Sequence, residues 1–252
     1  MKLRIKNSIS IVISLFFLAL SFLALAADFA PIKVAVASNF RNSLTEIAAN
    51  YTVQSGQKVL ISSASSGTLY NQIRHGAPFD LFLSADQKRA QLIEQSALGV
   101  KGSRFTYAQG QLAFWVPRQQ AKVDLTTLKQ YSGRFAIANP RLAPYGLAAE
   151  QALKALHLWR QFSYVQGANI SQTYQFIESG NVEAGLVAYA QLLQNPLLKA
   201  EQYYLLPAHL HQPIVQQGVL LAAAKQPEKV QQFIDYLISA EVQALLREKG
   251  YL

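Results

Sequence analysis

The segment IKVAVASNF, residues 32–40, decides how the chain is read. From Ile32 to Ala37 almost every residue is β-branched or small and apolar, which suits a strand buried on both faces. Ser38 and Asn39 end the run with residue types favoured at helix starts. Over 42–53 the apolar residues Leu44, Ile47, Ala48 and Tyr51 then recur at helical spacing. The same alternation continues with a strand at 58–62, a helix at 69–75, a strand at 80–83 and a helix at 87–95. This β-α-β-α-β-α order implies a mainly parallel sheet covered by helices on both sides.

A second cycle follows, with strands at 111–116, 134–138, 162–165 and 184–188 and helices at 125–130, 147–156 and 173–178. A strand at 215–222 and two helices, 228–238 and 242–249, close the chain. No proline-rich or low-complexity linker separates the cycles, so the chain is expected to cross between two lobes on extended strands near Gly110 and Gln216. That divides it into a discontinuous first lobe, 27–110 plus 217–252, and a second lobe, 111–216.

Ahead of the first strand lie Lys2, Arg4 and Lys6, an uncharged run over 9–25, and Ala24-Leu25-Ala26 before Asp28. This is the pattern of a cleavable secretory signal peptide over residues 1–26. The run is also close to the length of a membrane anchor, but four serines dilute it and no basic stop-transfer cluster follows. The sequence has no cysteine, which excludes disulfides, thiolate metal sites and a lipoprotein anchor. With nothing to tether it to a membrane, the mature chain is expected to diffuse freely outside the cytoplasm. There are 23 basic against 14 acidic residues, a formal net charge of +9. Such an excess could serve nucleic acid, an acidic membrane surface or an anionic ligand, but the basic residues are scattered and no nucleic-acid-binding motif accompanies them, which speaks against nucleic acid.

In open α/β sheets, ligands bind beyond the carboxyl ends of strands, where helix N-termini point. Four strand-to-helix junctions stand out: Ala37-Ser38-Asn39-Phe40, the hydroxyl-rich Ser62-Ser63-Ala64-Ser65-Ser66-Gly67-Thr68, the loop 139–146 with Pro140 and Pro144, and Gly167-Ala168-Asn169-Ile170-Ser171. Each also reads as an ordinary helix cap or a proline-led first turn. None contains Asp or Glu, and Arg141 is their one charged residue. Hydroxyl and amide donors without carboxylates suit a ligand that only accepts hydrogen bonds. A fully deprotonated tetrahedral dianion is such a ligand, held by helix dipoles and charge-assisted bonds. Protonated phosphate would also need a carboxylate acceptor.

These elements, in this order, resemble the periplasmic molybdate-binding proteins of ABC-type transporters. The resemblance rests on VAVASNF at 34–40, ASSGT at 64–68, GAPFDLFLSAD at 76–86, APYG at 143–146, GANI at 167–170 and GLVA at 185–188. It covers essentially the whole chain after the leader. It implies a type II periplasmic-binding-protein fold, two α/β lobes with mainly parallel sheets and the ligand in the interlobe cleft. The function it implies is capture of molybdate, and tungstate with it, for delivery to membrane permease subunits by a monomer that needs no cofactor and catalyses nothing. Carried over by position, Ser38 and Ser66 supply hydroxyl and backbone donors and Asn39 an amide, while Tyr145 and Ile170 supply backbone N–H groups. Some family members place a ligand-binding tyrosine where this chain has Ala188. Tyr189 falls one residue late, and the contact is not carried over.

Other chemistry finds little support. His209-x-His211 has no nearby partner for a metal, and Ala64-Ser65-Ser66-Gly67-Thr68 lacks the first glycine of a hydrolase nucleophile turn. Trp115 and Trp159 sit in apolar-periodic stretches and read as core residues. The alternatives left open are a binder of sulfate or another tetrahedral oxyanion, which differs in pocket width, and an extracytoplasmic oxyanion sensor.

Overall fold

The computed structural model describes residues 30–252; the expected signal peptide, 1–26, lies outside them. The first sheet is built from β1 (Ile32–Ala37), β2 (Val59–Ala64), β3 (Leu81–Ser84), β4 (Phe105–Gly110) and β10 (Ile214–Leu220), in the order β2-β1-β3-β10-β4. The second uses β5 (Leu112–Trp115), β6 (Arg134–Ala138), β7 (Ser163–Gly167), β8 (Ala184–Ala188) and β9 (Tyr203–Leu205), in the order β7-β6-β8-β5-β9. In each, three neighbouring strands run parallel and the fourth antiparallel to them. The expectation of two α/β lobes with mainly parallel sheets is met: in each sheet four of the five strands share one direction and a single strand, β10 or β5, opposes them.

Both faces of each sheet are covered, which is why the central strands are apolar at successive residues. Val34 and Val36 pack with Leu44, Ile47 and Tyr51 of α1 (Arg41–Ser55) and with Val230 and Phe233 of α8 (Pro227–Leu237). Ala35, one residue out of phase, faces α2 (Ser66–Arg74) and α3 (Gln87–Gln95) through Leu69, Ile73, Ala90 and Ile93. The last helix, α9 (Ala240–Glu248), joins the first group through Val242 and Leu246. In the second lobe α4 (Leu125–Gln130) and α5 (Pro144–Ala155) cover one face, and α6 (Ile170–Glu178) and α7 (Tyr189–Leu193) the other.

The chain leaves the first sheet at Gly110 and enters the second at Leu112. It returns between β9 and β10. Ile214 and Val215 already pair with Gly110 and Gln109, so the return crossing lies upstream of Gln216. A register shift between Gln216 and Gln217 bends β10 beside the crossing, and both amide side chains are buried there. Gly110 leaves no room for a side chain: a Cβ would collide with the Tyr145 hydroxyl and come within 3.2 Å of Gln216 Nε2. Gly110→Ala is therefore expected to cost about 1–3 kcal/mol, the usual range for overpacking a filled interior. Denaturant unfolding measures it, and an unchanged midpoint would show that Tyr145 can move aside freely.

Candidate functional site

The four junctions singled out in the sequence converge where the lobes touch. After β1, residues Ser38–Phe40 form a buried 3-10 turn, and no side chain caps either that turn or α1. Ser38 and Asn39 are thus not caps. After β2, Ser65 is the N-cap of α2: its Oγ accepts from Thr68 N at 3.2 Å and shares a 2.8 Å bond with Thr68 Oγ1. Ser66, next along, has another role. Its Oγ accepts from Ala85 N at 2.9 Å, beyond the end of β3, so its own proton is directed elsewhere. In the second lobe Pro144 opens α5 with no side-chain cap, placing Tyr145 in the first turn. Asn169 caps α6 by accepting from Gln172 N at 3.0 Å, and Ile170 is the first helical residue.

Ser66, Tyr145 and Ile170 therefore present backbone N–H groups from first turns, where no intrahelical acceptor exists. None of the three helices has an acidic residue in its first turn, so no carboxylate of their own offsets their positive ends. All five expected residues, Ser38, Asn39, Ser66, Tyr145 and Ile170, are buried. Contacts across the lobes bring them together. Ser171 Oγ donates to Ser38 O at 3.0 Å, Ser171 N approaches Ser38 Oγ at 3.5 Å, and Gly67 N donates to Leu142 O at 2.9 Å. The Tyr145 hydroxyl is buried against Gly110, at the end of β4 in the first lobe. Ala37 and Ala85 of the first lobe share one apolar cluster with Ala143, Tyr145 and Ile170 of the second.

With that geometry in view, comparison with known proteins is direct. The family model of bacterial extracellular solute-binding proteins matches residues 32–252. The molybdate-binding protein ModA of Azotobacter vinelandii is 38% identical over 237 residues, covering 91% of this chain and 92% of the relative. Its namesake from Rhodobacter capsulatus is 36% identical over 234 residues, 91% of each chain. The solved periplasmic molybdate-binding protein of A. vinelandii superposes with a TM-score of 0.82 at 32% identity, over 88% of this chain and 98% of that one. The chain belongs to the ModA family of bacterial extracellular solute-binding proteins.

Tyr189, one residue after Ala188, makes its ring contacts with residues other than the five expected ones. It starts α7, its ring packs on Tyr203 with centroids 5.5 Å apart, and its ring atoms lie beside Gly250. Burial and the Tyr203 hydroxyl push its phenol up to about 12. Ala188 is fully buried, and its methyl side chain offers no hydrogen-bond donor. Arg141 is exposed; its N–H donates to Asn139 Oδ1 at 2.9 Å, which shapes the loop.

Sequence reasoning missed Gln216. Its Oε1 accepts from Asn39 Nδ2 at 2.8 Å and from Tyr107 Oη at 3.2 Å, which orients the Asn39 amide, while its Nε2 is buried without a partner. Tyr107 also donates to Ser84 O at 3.0 Å, and Tyr251 Oη donates to Asn39 O at 3.0 Å. The available signal was two adjacent glutamines inside an otherwise apolar strand.

Burial raises the Tyr107, Tyr145 and Tyr251 phenols above their ordinary value. The folded chain keeps these protons to higher pH than the unfolded chain does. Above about pH 10 the unfolded state binds fewer protons, and stability falls as pH rises; below that these groups contribute no pH dependence. Alkaline titration should release these tyrosinates together with unfolding. Their gradual appearance in a folded chain would contradict the burial argument.

Proposed function

We propose that the chain captures molybdate, and tungstate with it, between its lobes in the periplasm and presents it to the permease subunits of an ABC-type transporter. The relatives are solute-binding proteins, and this chain is a binder and not an enzyme. The observation that carries the reading is the meeting of Ser38, Ser66 and the first turns of α2, α5 and α6 at one buried interlobe junction. Ser38 and Ser66 supply hydroxyl and backbone donors, Asn39 an amide, and Tyr145 and Ile170 backbone N–H groups. A dianion there gains several charge-assisted bonds without a fixed cation. Protonated phosphate is disfavoured because Asp86, the carboxylate next to Ala85, is already taken up by Arg89 and by its own helix cap.

A thermal-shift panel with molybdate, tungstate, sulfate and phosphate tests the assignment. Ligand at about 100 times its dissociation constant adds roughly 2.7 kcal/mol, a rise of about 5–10 °C for a chain this size. A clear shift with sulfate and none with molybdate or tungstate would sink it. Ser66→Ala should weaken molybdate binding by about 1.5–3 kcal/mol by calorimetry, the range for a hydrogen bond to a charged group. The melting temperature of the ligand-free variant reports separately the loss of the acceptor for Ala85 N.

A further inference from the structure

Arg89 spans the two lobes. On its own side it is anchored twice to Asp86: its backbone N–H donates to Asp86 Oδ1 at 2.7 Å, and its guanidinium Nη1 pairs with Oδ2. On the other side Nη2 donates to the carbonyl of Arg141 at 2.9 Å. That carbonyl belongs to the loop whose next residue, Leu142, accepts from Gly67 N and which runs on into Tyr145. The guanidinium sits at the edge of an interlobe groove of about 500 Å³ that Lys88 and Pro144 also line.

We propose that Arg89 is a positioning residue for ligand binding: its fork latches the first lobe to the Arg141–Leu142 loop and so sets Tyr145 N–H and the closed state. The proposal rests on the reading of the junction as the ligand site. A planar fork reaches the carboxylate and the carbonyl at once, and a lysine ammonium on a flexible stem does not. Gly67 marks the same contact. A Cβ at Gly67 would meet Leu142 O at 2.9 Å, Leu142 Cα at 3.0 Å and Arg89 Nη2 at 3.1 Å. Two of these atoms are backbone of the opposite lobe and the third is the latch itself. Alanine at 67 therefore fits an open first lobe and wedges the closed pair apart.

Calorimetry with molybdate, together with small-angle scattering with and without it, tests the latch on the wild type, Arg89→Ala, Arg89→Lys, Lys88→Ala and Gly67→Ala. Both Arg89 variants should bind about 10-fold more weakly, the scale of one charged hydrogen bond. Lys88→Ala removes an equal charge from the same groove and should stay within about twofold. Gly67→Ala should keep the ligand-free melting temperature, since alanine suits a helix better than glycine, yet lose the compaction that molybdate produces in the wild type. Restoration of full affinity by Arg89→Lys, or an effect of Lys88→Ala equal to that of Arg89→Ala, would reduce Arg89 to a surface charge and overturn the latch. Wild-type affinity and compaction in Arg89→Ala and Gly67→Ala would overturn it as well. A wild type that binds no molybdate overturns the ligand reading and the latch with it; binding by wild type and variants alike overturns the latch alone.

Discussion

A helix that starts at the end of a buried strand has first-turn N–H groups with no acceptor in the helix itself. In this chain three such starts, and the 3-10 turn after β1, meet where the lobes touch. Buried donors without partners are costly, and the proposed anion would be the acceptor among them. The doubly covered sheets serve this requirement, because a parallel sheet aims successive strand ends, and the helices that follow, at the same edge.

The hinge side is built differently. The crossing strand β10 carries Gln216 into the interior, where it ties Asn39 to Tyr107, and Tyr251 from the chain's end holds the Asn39 backbone. Rings of Phe40, Tyr107 and Tyr251 pack around these bonds, with centroids 4.7 Å and 5.3 Å apart from Phe40. Asn39 is thus fixed by residues from three separate parts of the sequence. Hydrogen bonds in an apolar surround are strengthened by the low local dielectric, and those to Gln216 and Tyr251 hold Asn39 oriented.

Most strands were legible because a doubly buried strand is apolar at nearly every position, Lys33 and Arg134 being exposed exceptions near strand starts. Ile32–Ala37, Arg134–Ala138 and Ala184–Ala188 begin and end where their composition says. Helix starts read late: α2, α5 and α6 open at Ser66, Pro144 and Ile170, but apolar periodicity places them at Leu69, Leu147 and Thr173. The physical reason is that those first turns are built largely from polar, glycine and proline residues, such as Ser66, Gly67, Pro144 and Ser171, that make strand-end and interlobe contacts in place of core packing, so they do not follow the apolar pattern. Two of the four edge strands, β4 and β9, were illegible for the opposite reason. β4 and the three-residue β9 are too short or too mixed in polarity to signal themselves, and their pairing comes from the crossing strands beside them. Contacts such as Asn39 with Gln216 or Arg89 with Arg141 join residues far apart in the chain, and local pattern carries no trace of them.

The first-turn donors are divided between the lobes, with Ser38, Asn39 and Ser66 on one and Tyr145 and Ile170 on the other. None of them is a cation that would hold an anion by itself. In the proposed function retention is accordingly a matter of shape: two half-shells that would each hold the anion weakly alone hold it strongly when joined. Unloading then requires no chemical change in protein or cargo, since any partner that pries the shells apart empties them mechanically.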